Sequence, residues 1–122
     1  MNEEEKTAKL AKLNDTFRSQ IPYTNAGPAN IPGQTVMTRG IAQFSPTVQS
    51  AIILKVKTFS DFTEDNDPYG THEFGAFDVP KVGTVFWKID IYESADCEYG
   101  SEHPTDPKRS YRVFTILLAD EY

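Results

Sequence analysis

"HEFGAFDVPKVGTVFWKIDIY", His72 to Tyr92, decides the fold. Two runs rich in β-branched and aromatic residues, His72–Val79 and Thr84–Tyr92, flank "PKVG", which has the proline and glycine of a tight turn. In the second run Val85, Trp87, Ile89 and Ile91 alternate with Phe86, Lys88, Asp90 and Tyr92. Period-two alternation puts the first set on a buried face and the second on an outer one, where Asp90 can pair with Lys88. The expectation is an antiparallel hairpin.

Upstream, a helix is expected over Glu3 to Ser19. Asn2 is its cap, the acids Glu3, Glu4 and Glu5 sit at its positive end, and Arg18 sits at the other. Leu10, Leu13 and Phe17 form its apolar stripe. The prolines and glycines of Ile21–Gly33 make a loop, and Thr35 to Ile41 reads as a strand. Ser45 before Pro46 starts a second helix, whose Val48, Ile52, Val56 and Phe59 face the core. After the hairpin, "ESADCEYGSEHPTDPKR" is a long polar loop leading into a last strand, "SYRVFTILLAD". The order α-β-α-β-β-β gives one α+β domain over residues 1–122. Its sheet is mainly antiparallel and four-stranded, with two helices packed on one face.

No apolar run reaches the roughly 20 residues of a membrane span, and "MNEEEKTAKL" is too polar for a secretory signal, so a cytoplasmic protein is expected. Cys97 is the single cysteine, which rules out an internal disulfide and thiolate-rich zinc sites. The net charge of −6 is unevenly spread: residues 1–59 carry seven Lys/Arg against four Asp/Glu, and residues 60–122 five against fourteen. Such a surface repels nucleic acid and membranes and favours basic partners.

Much of that acid flanks the hairpin. "DFTEDNDPYGTHEFGAF" enters it and the long polar loop leaves it. Antiparallel pairing puts the start of one strand beside the end of the other, so both loops should emerge at one end of the sheet. The entering loop brings Asp61, Glu64, Asp65, Asp67 and Glu73. The leaving loop brings Glu93, Asp96, Glu98, Glu102 and Asp106, with Lys108, Arg109 and Arg112 near its exit as partial compensation. Carboxylates this concentrated need a cation or a basic partner if the loops are ordered and close; two solvated loops are the plainer alternative.

Sharper motifs fail. Counted from Asp65, Asp67 and Gly70 suit the third and sixth places of a calcium loop, but Tyr69 and Ala76 stand at the fifth and twelfth. "THEFG" has no second histidine four residues on. A looser metal set of Asp65, Asp67, His72, Glu73 and His103 stays open as an alternative. Asn66, Asp67, Pro68 and Gly70 have a ready explanation in turn chemistry. No nucleophile elbow, phosphate-cradling loop or dinucleotide fingerprint is present, and no cofactor is expected.

"LNDTFR", "TRGI", "FSDFTEDNDPYGTHEFGAF", "FWKIDIY", "GSEHPTDP" and "RVFTILLADEY" together resemble the small bacterial proteins classed as domain of unknown function 3768. The resemblance runs from about Leu10 to Tyr122, leaving out the first nine residues and "PYTNAGPANIPGQ". Members of that family occur on chromosomes and on plasmids and other mobile elements. The resemblance implies that setting, and it brings no reaction, cofactor or catalytic residue.

Two functions are expected in turn. The first is a small acidic protein-binding module that docks, as monomer or homodimer, on a basic surface. A nucleic-acid-handling host-defence complex fits, which would make the protein an anti-CRISPR or anti-restriction inhibitor by nucleic-acid mimicry. The second is a divalent-metal protein or small hydrolase using the Asp65–Glu73 loop. Self-association through a sheet edge is a third, structural, role.

Overall fold

The computed structural model describes residues 1–22 and 30–122. Elements follow in the order α1 (Glu3–Gln20), β1 (Gly33–Met37), α2 (Arg39–Ala42), α3 (Pro46–Lys57), β2 (Phe74–Val79), β3 (Gly83–Tyr92) and β4 (Tyr111–Leu118). Single 3₁₀ turns stand at Pro107–Arg109 and Ala119–Glu121. The loop expected over Ile21–Gly33 lies in part, at residues 23–29, outside the described residues.

The four strands form one sheet in the order β1-β4-β3-β2. β2 and β3 make the expected antiparallel hairpin, with Val79 opposite Gly83 and Phe74 opposite Lys88. The turn between them places Lys81 and Gly83 at φ +68° and +109°, and glycine takes such an angle without steric cost. β3 continues antiparallel to β4, with Trp87 opposite Ile116. β1 runs parallel to β4, so the sheet is mixed. The fold is α+β as the sequence indicates, with one helix more than expected.

That helix, α2, corrects the reading of Thr35–Ile41 as one strand: β1 stops at Met37 and Thr38 caps a helical turn. Thr38 is a favoured cap residue, and Glu121 supports it. The Glu121 carboxylate accepts hydrogen bonds from Thr38 Oγ1 at 2.6 Å and from the Gly40 and Leu118 N–H groups at 3.0 and 2.9 Å. It thereby serves one orphan donor of α2, the Gly40 N–H, and ties the cap residue Thr38 to the end of β4.

The two longer helices begin where their caps dictate. Asn2 Oδ1 accepts from Glu5 N–H at 2.8 Å, and Ser45 Oγ from Val48 N–H at 3.3 Å, with Pro46 in the first helical turn. Phe17 of α1 and Ile52 and Val56 of α3 are fully buried against the inner sheet face, which supplies Val85, Trp87, Phe114 and Ile116. Trp87 stacks on Phe114 at 5.4 Å between ring centroids. Burying side chains of this size contributes about 1.5–3 kcal/mol each, and this cluster is the main force closing the layers. Gly75, opposite Trp87 in β2, is required there: a Cβ would come within 2.2 Å of the indole nitrogen.

Arg18 does more than face the C-terminal dipole of its own helix. It is buried over Trp87, 4.9 Å from the ring centroid, and donates to the carbonyls of Val56 and Phe59 at 2.9 and 2.8 Å. It therefore caps the end of α3. On the outer sheet face Lys88 pairs with Asp90 at 2.8 Å, and Tyr122 packs edge-on to Phe74 and Phe86.

Candidate functional site

The entering loop is built by its own polar side chains. Asn66 Oδ1 accepts from Thr63 N–H at 2.8 Å while its amide donates to Asp61 O at 2.7 Å. Gly70, at φ +68°, returns its N–H to Asp67 O. Both Asp67 oxygens lie 3.3 Å from the His72 N–H. These are Asx contacts of the kind the sequence indicates. His72 then takes φ +57°, an uncommon angle for a non-glycine residue, which keeps it out of β2 and shortens the strand expected from His72.

The His72 ring is held on three sides. It stacks on Phe62 with centroids 3.8 Å apart and planes 2° from parallel. Nδ1 lies 2.9 and 3.0 Å from the two oxygens of Asp15 on α1, and Nε2 lies 3.7 Å from Asp67 Oδ2. A ring nitrogen facing a carboxylate at that distance carries a proton, so Nδ1 is the donor. Asp15 also pairs with Arg18 at 2.9 Å.

The leaving loop folds back on β3. Glu93 N–H donates to Tyr99 O, Ser101 N–H to Ile91 O, and Tyr92 bridges to Gly100. Asp96 accepts from Ser94 Oγ and Glu98 N–H. Asp106 caps the Pro107–Arg109 turn through Lys108 N–H.

Arg112 joins the two loops. It stands in β4 with no solvent exposure. Nε donates to Asn14 Oδ1 at 2.8 Å, Nη1 to Ser110 Oγ at 3.3 Å and Nη2 to Pro104 O at 2.9 Å. Asn14, itself buried, donates onward to Thr71 O at 2.8 Å. A continuous path thus runs from Pro104 in the leaving loop through β4 and α1 to Thr71 in the entering loop. Burial lowers the Arg112 pKa to about 10, with Glu73 acting in the opposite direction, so the guanidinium is charged at neutral pH. Glu73 sits at the seam. Burial pushes its carboxyl above the ordinary glutamate range, Asp67 and Asp90 push the same way, and a Thr71 hydrogen bond and Arg112 oppose them.

Both loops leave the same end of the hairpin, because β2 starts opposite the part of β3 that approaches Tyr92. Seven of the ten candidate carboxylates are exposed there: Asp61, Glu64, Asp65, Glu93, Asp96, Glu98 and Glu102. Asp67, Glu73 and Asp106 are partly buried, and their contacts are those of the fold. Arg112, expected to offset the acids at the surface, is instead a core residue serving neutral acceptors. The set Asp65, Asp67, His72, Glu73 and His103 is not gathered into a metal-holding group; among the described residues no three His, Cys, Asp or Glu side chains are. Asn14 and Asp15 lie outside the candidate set that the sequence offers, although "LNDTFR" holds a signal: two short polar residues next to the apolar stripe of α1.

A family model described as "Protein of unknown function (DUF3768)" matches residues 37–121. The chain belongs to this family. The DUF3768 match contains both acidic loops and Arg112, whereas Asn14, Asp15 and Arg18 lie before it. No curated protein and no solved structure matches the chain. Among the described residues no helix is long and apolar enough to cross a membrane.

Proposed function

We propose that this DUF3768 protein is a small binding module whose acidic end docks on a basic protein surface. One observation carries the reading: seven exposed carboxylates stand on two ordered loops that Arg112 and Asn14 tie to one end of the sheet. Fixed charges of one sign focus the field and speed the approach of an opposite surface. Duplex nucleic acid presents one charge per about 1.7 Å of axis, so an ordered carboxylate array can compete for a groove made for phosphate. In its finer form the reading is of a cytoplasmic inhibitor, monomeric or dimeric, of a nucleic-acid-handling defence complex of the restriction or CRISPR kind.

The test is capture of a basic nucleic-acid-handling complex on the immobilised protein at low and high salt. The comparison variant neutralises Glu64, Asp65, Glu98 and Glu102 to the corresponding amides; Asp67 is left intact because it holds the His72 amide. Capture should weaken with salt and be lost in the variant. Salt-insensitive capture, or capture by the neutralised protein, contradicts the reading.

A second reading, the small hydrolase, has one observation in its favour. Asp15 fixes the His72 tautomer, and His72 lines a shallow cavity of about 370 Å3 together with Glu64, Asp67 and Tyr69. That is the arrangement of an oriented general base. The cavity's lining holds neither serine nor cysteine; a water or the Thr63 hydroxyl would be the nucleophile. Hydrolysis of ester or phosphoester test substrates that disappears in both His72→Gln and Asp15→Asn would support it. Activity that survives His72→Gln, or no turnover at all, removes it.

A further inference from the structure

A cavity lies inside the leaving loop; it shares Glu93 and Glu102 with the docking surface but adds cations that the docking reading does not use. It measures about 620 Å3 and is lined in part by Glu93, Tyr99, Glu102, His103, Lys108 and Arg109. That volume falls in the range of small-molecule sites. Its walls are fixed by the loop's own hydrogen bonds. Ser101 Oγ donates to Arg109 O at 2.9 Å and accepts from His103 N–H at 3.0 Å, which ties the limb 93–102 to the limb 103–109. Asp106 closes the second limb by accepting from Lys108 N–H at 3.0 Å, and its own N–H donates to His103 O.

The charges on these walls are unspent. Among the described residues the ion pairs involve none of Glu93, Glu102, Lys108 and Arg109, and all four are exposed. In chain order both carboxylates come first and both cations second, so the limbs differ in sign. An anion alone that approached Lys108 and Arg109 would meet Glu93 and Glu102. A cation alone would meet the reverse. A ligand that carries both signs satisfies both limbs, and Tyr99 adds an aromatic side chain to the lining.

We propose that this cavity binds a small zwitterion, a molecule with an ammonium group and a carboxylate or phosphate group. The ammonium lies toward Glu93 and Glu102, and the acidic group toward Lys108 and Arg109. The inference does not depend on the docking reading.

The test is amide-resolved NMR titration of the full chain with ω-amino acids from glycine to 6-aminohexanoate and with phosphoethanolamine. Acetate, inorganic phosphate and ethylammonium are the single-sign controls. Zwitterions should give saturable shifts centred on Tyr99, Gly100, Glu102 and Lys108, and the controls should bind at least about fivefold more weakly, the worth of one exposed ion pair. Whether the amino acids or phosphoethanolamine bind more tightly assigns the acidic group. The Lys108→Ala/Arg109→Ala protein should lose on the order of tenfold in affinity while its remaining spectrum is unchanged. The proposal is overturned by no saturable shift from any zwitterion, by a control that binds as well, or by undiminished binding to the folded double variant. Should the double variant not fold, Glu93→Gln/Glu102→Gln applies the same criterion from the opposite limb.

Discussion

Arg112 Nε donates to Asn14 Oδ1 at 2.8 Å across 98 positions of the chain. Both side chains are buried, and through their other polar atoms each holds one acidic loop: Pro104 O on one side, Thr71 O on the other. A charged donor in the interior is tolerated only where acceptors meet it, so sheet, helix and both loops must be in place together.

Removing either half of this bridge should be costly. Asn14→Ala leaves a buried guanidinium N–H without an acceptor, and the expected loss is about 2–3 kcal/mol, or about 10 °C in Tm. Arg112→Lys keeps the charge and loses the fork that serves three acceptors at once, so it should not behave as a conservative change. Urea denaturation of both variants measures this.

Glu73 should make stability depend on pH. Its folded pKa is raised, chiefly by burial. The folded state therefore keeps this proton to higher pH than the unfolded chain, and stability falls as pH rises from the unfolded value through the folded one. Glu73→Gln should flatten that part of the profile and be more stable than the natural protein at pH 7, with little difference at low pH. Melting curves from pH 3 to 8 read both arms.

Glu121 has the opposite sign. Its carboxyl is held below the ordinary value, first by Thr38 and then by the Leu118 amide, with a smaller part from Gly40. What it contributes is present above the unfolded pKa and lost as pH falls through the folded one. Glu121→Gln should loosen α2 at neutral pH and lose this acid-side dependence, seen as faster amide exchange at Gly40 and Ile41.

Gly75→Ala should cost about 1–3 kcal/mol or more, because the added methyl points into the Trp87 indole, whose ring is fully buried. Trp87 is the only tryptophan, so intrinsic fluorescence reports the displacement directly.

Features set by local chemistry were legible in the sequence. The hairpin, the caps at Asn2 and Ser45, the inward face of Val85, Trp87 and Ile89, and the Asx turn at Asn66 follow from residues close together in the chain. Long-range features were not. Thr38 is a helix-cap residue type, but its partner Glu121, which also binds the Gly40 N–H, lies 83 positions away and no local pattern reveals it. Asn14 reads as an ordinary polar residue of α1 until Arg112 and Thr71 meet it. The acidic loops were visible as composition. Which acids are exposed, and which hold the turns, depended on contacts such as Asp67 with the His72 amide.

Hydrogen exchange of the Asn14→Ala protein tests most directly whether the two acidic loops form one surface. Glu121→Gln, which perturbs α2 and the Leu118 end of β4, away from both loops, controls for general loss of stability. Amides of residues 61–72 and of residues 93–110 should both exchange faster in Asn14→Ala than in the control. Faster exchange in one loop alone, or in neither, would show that the loops are ordered independently, and the single acidic surface would be contradicted.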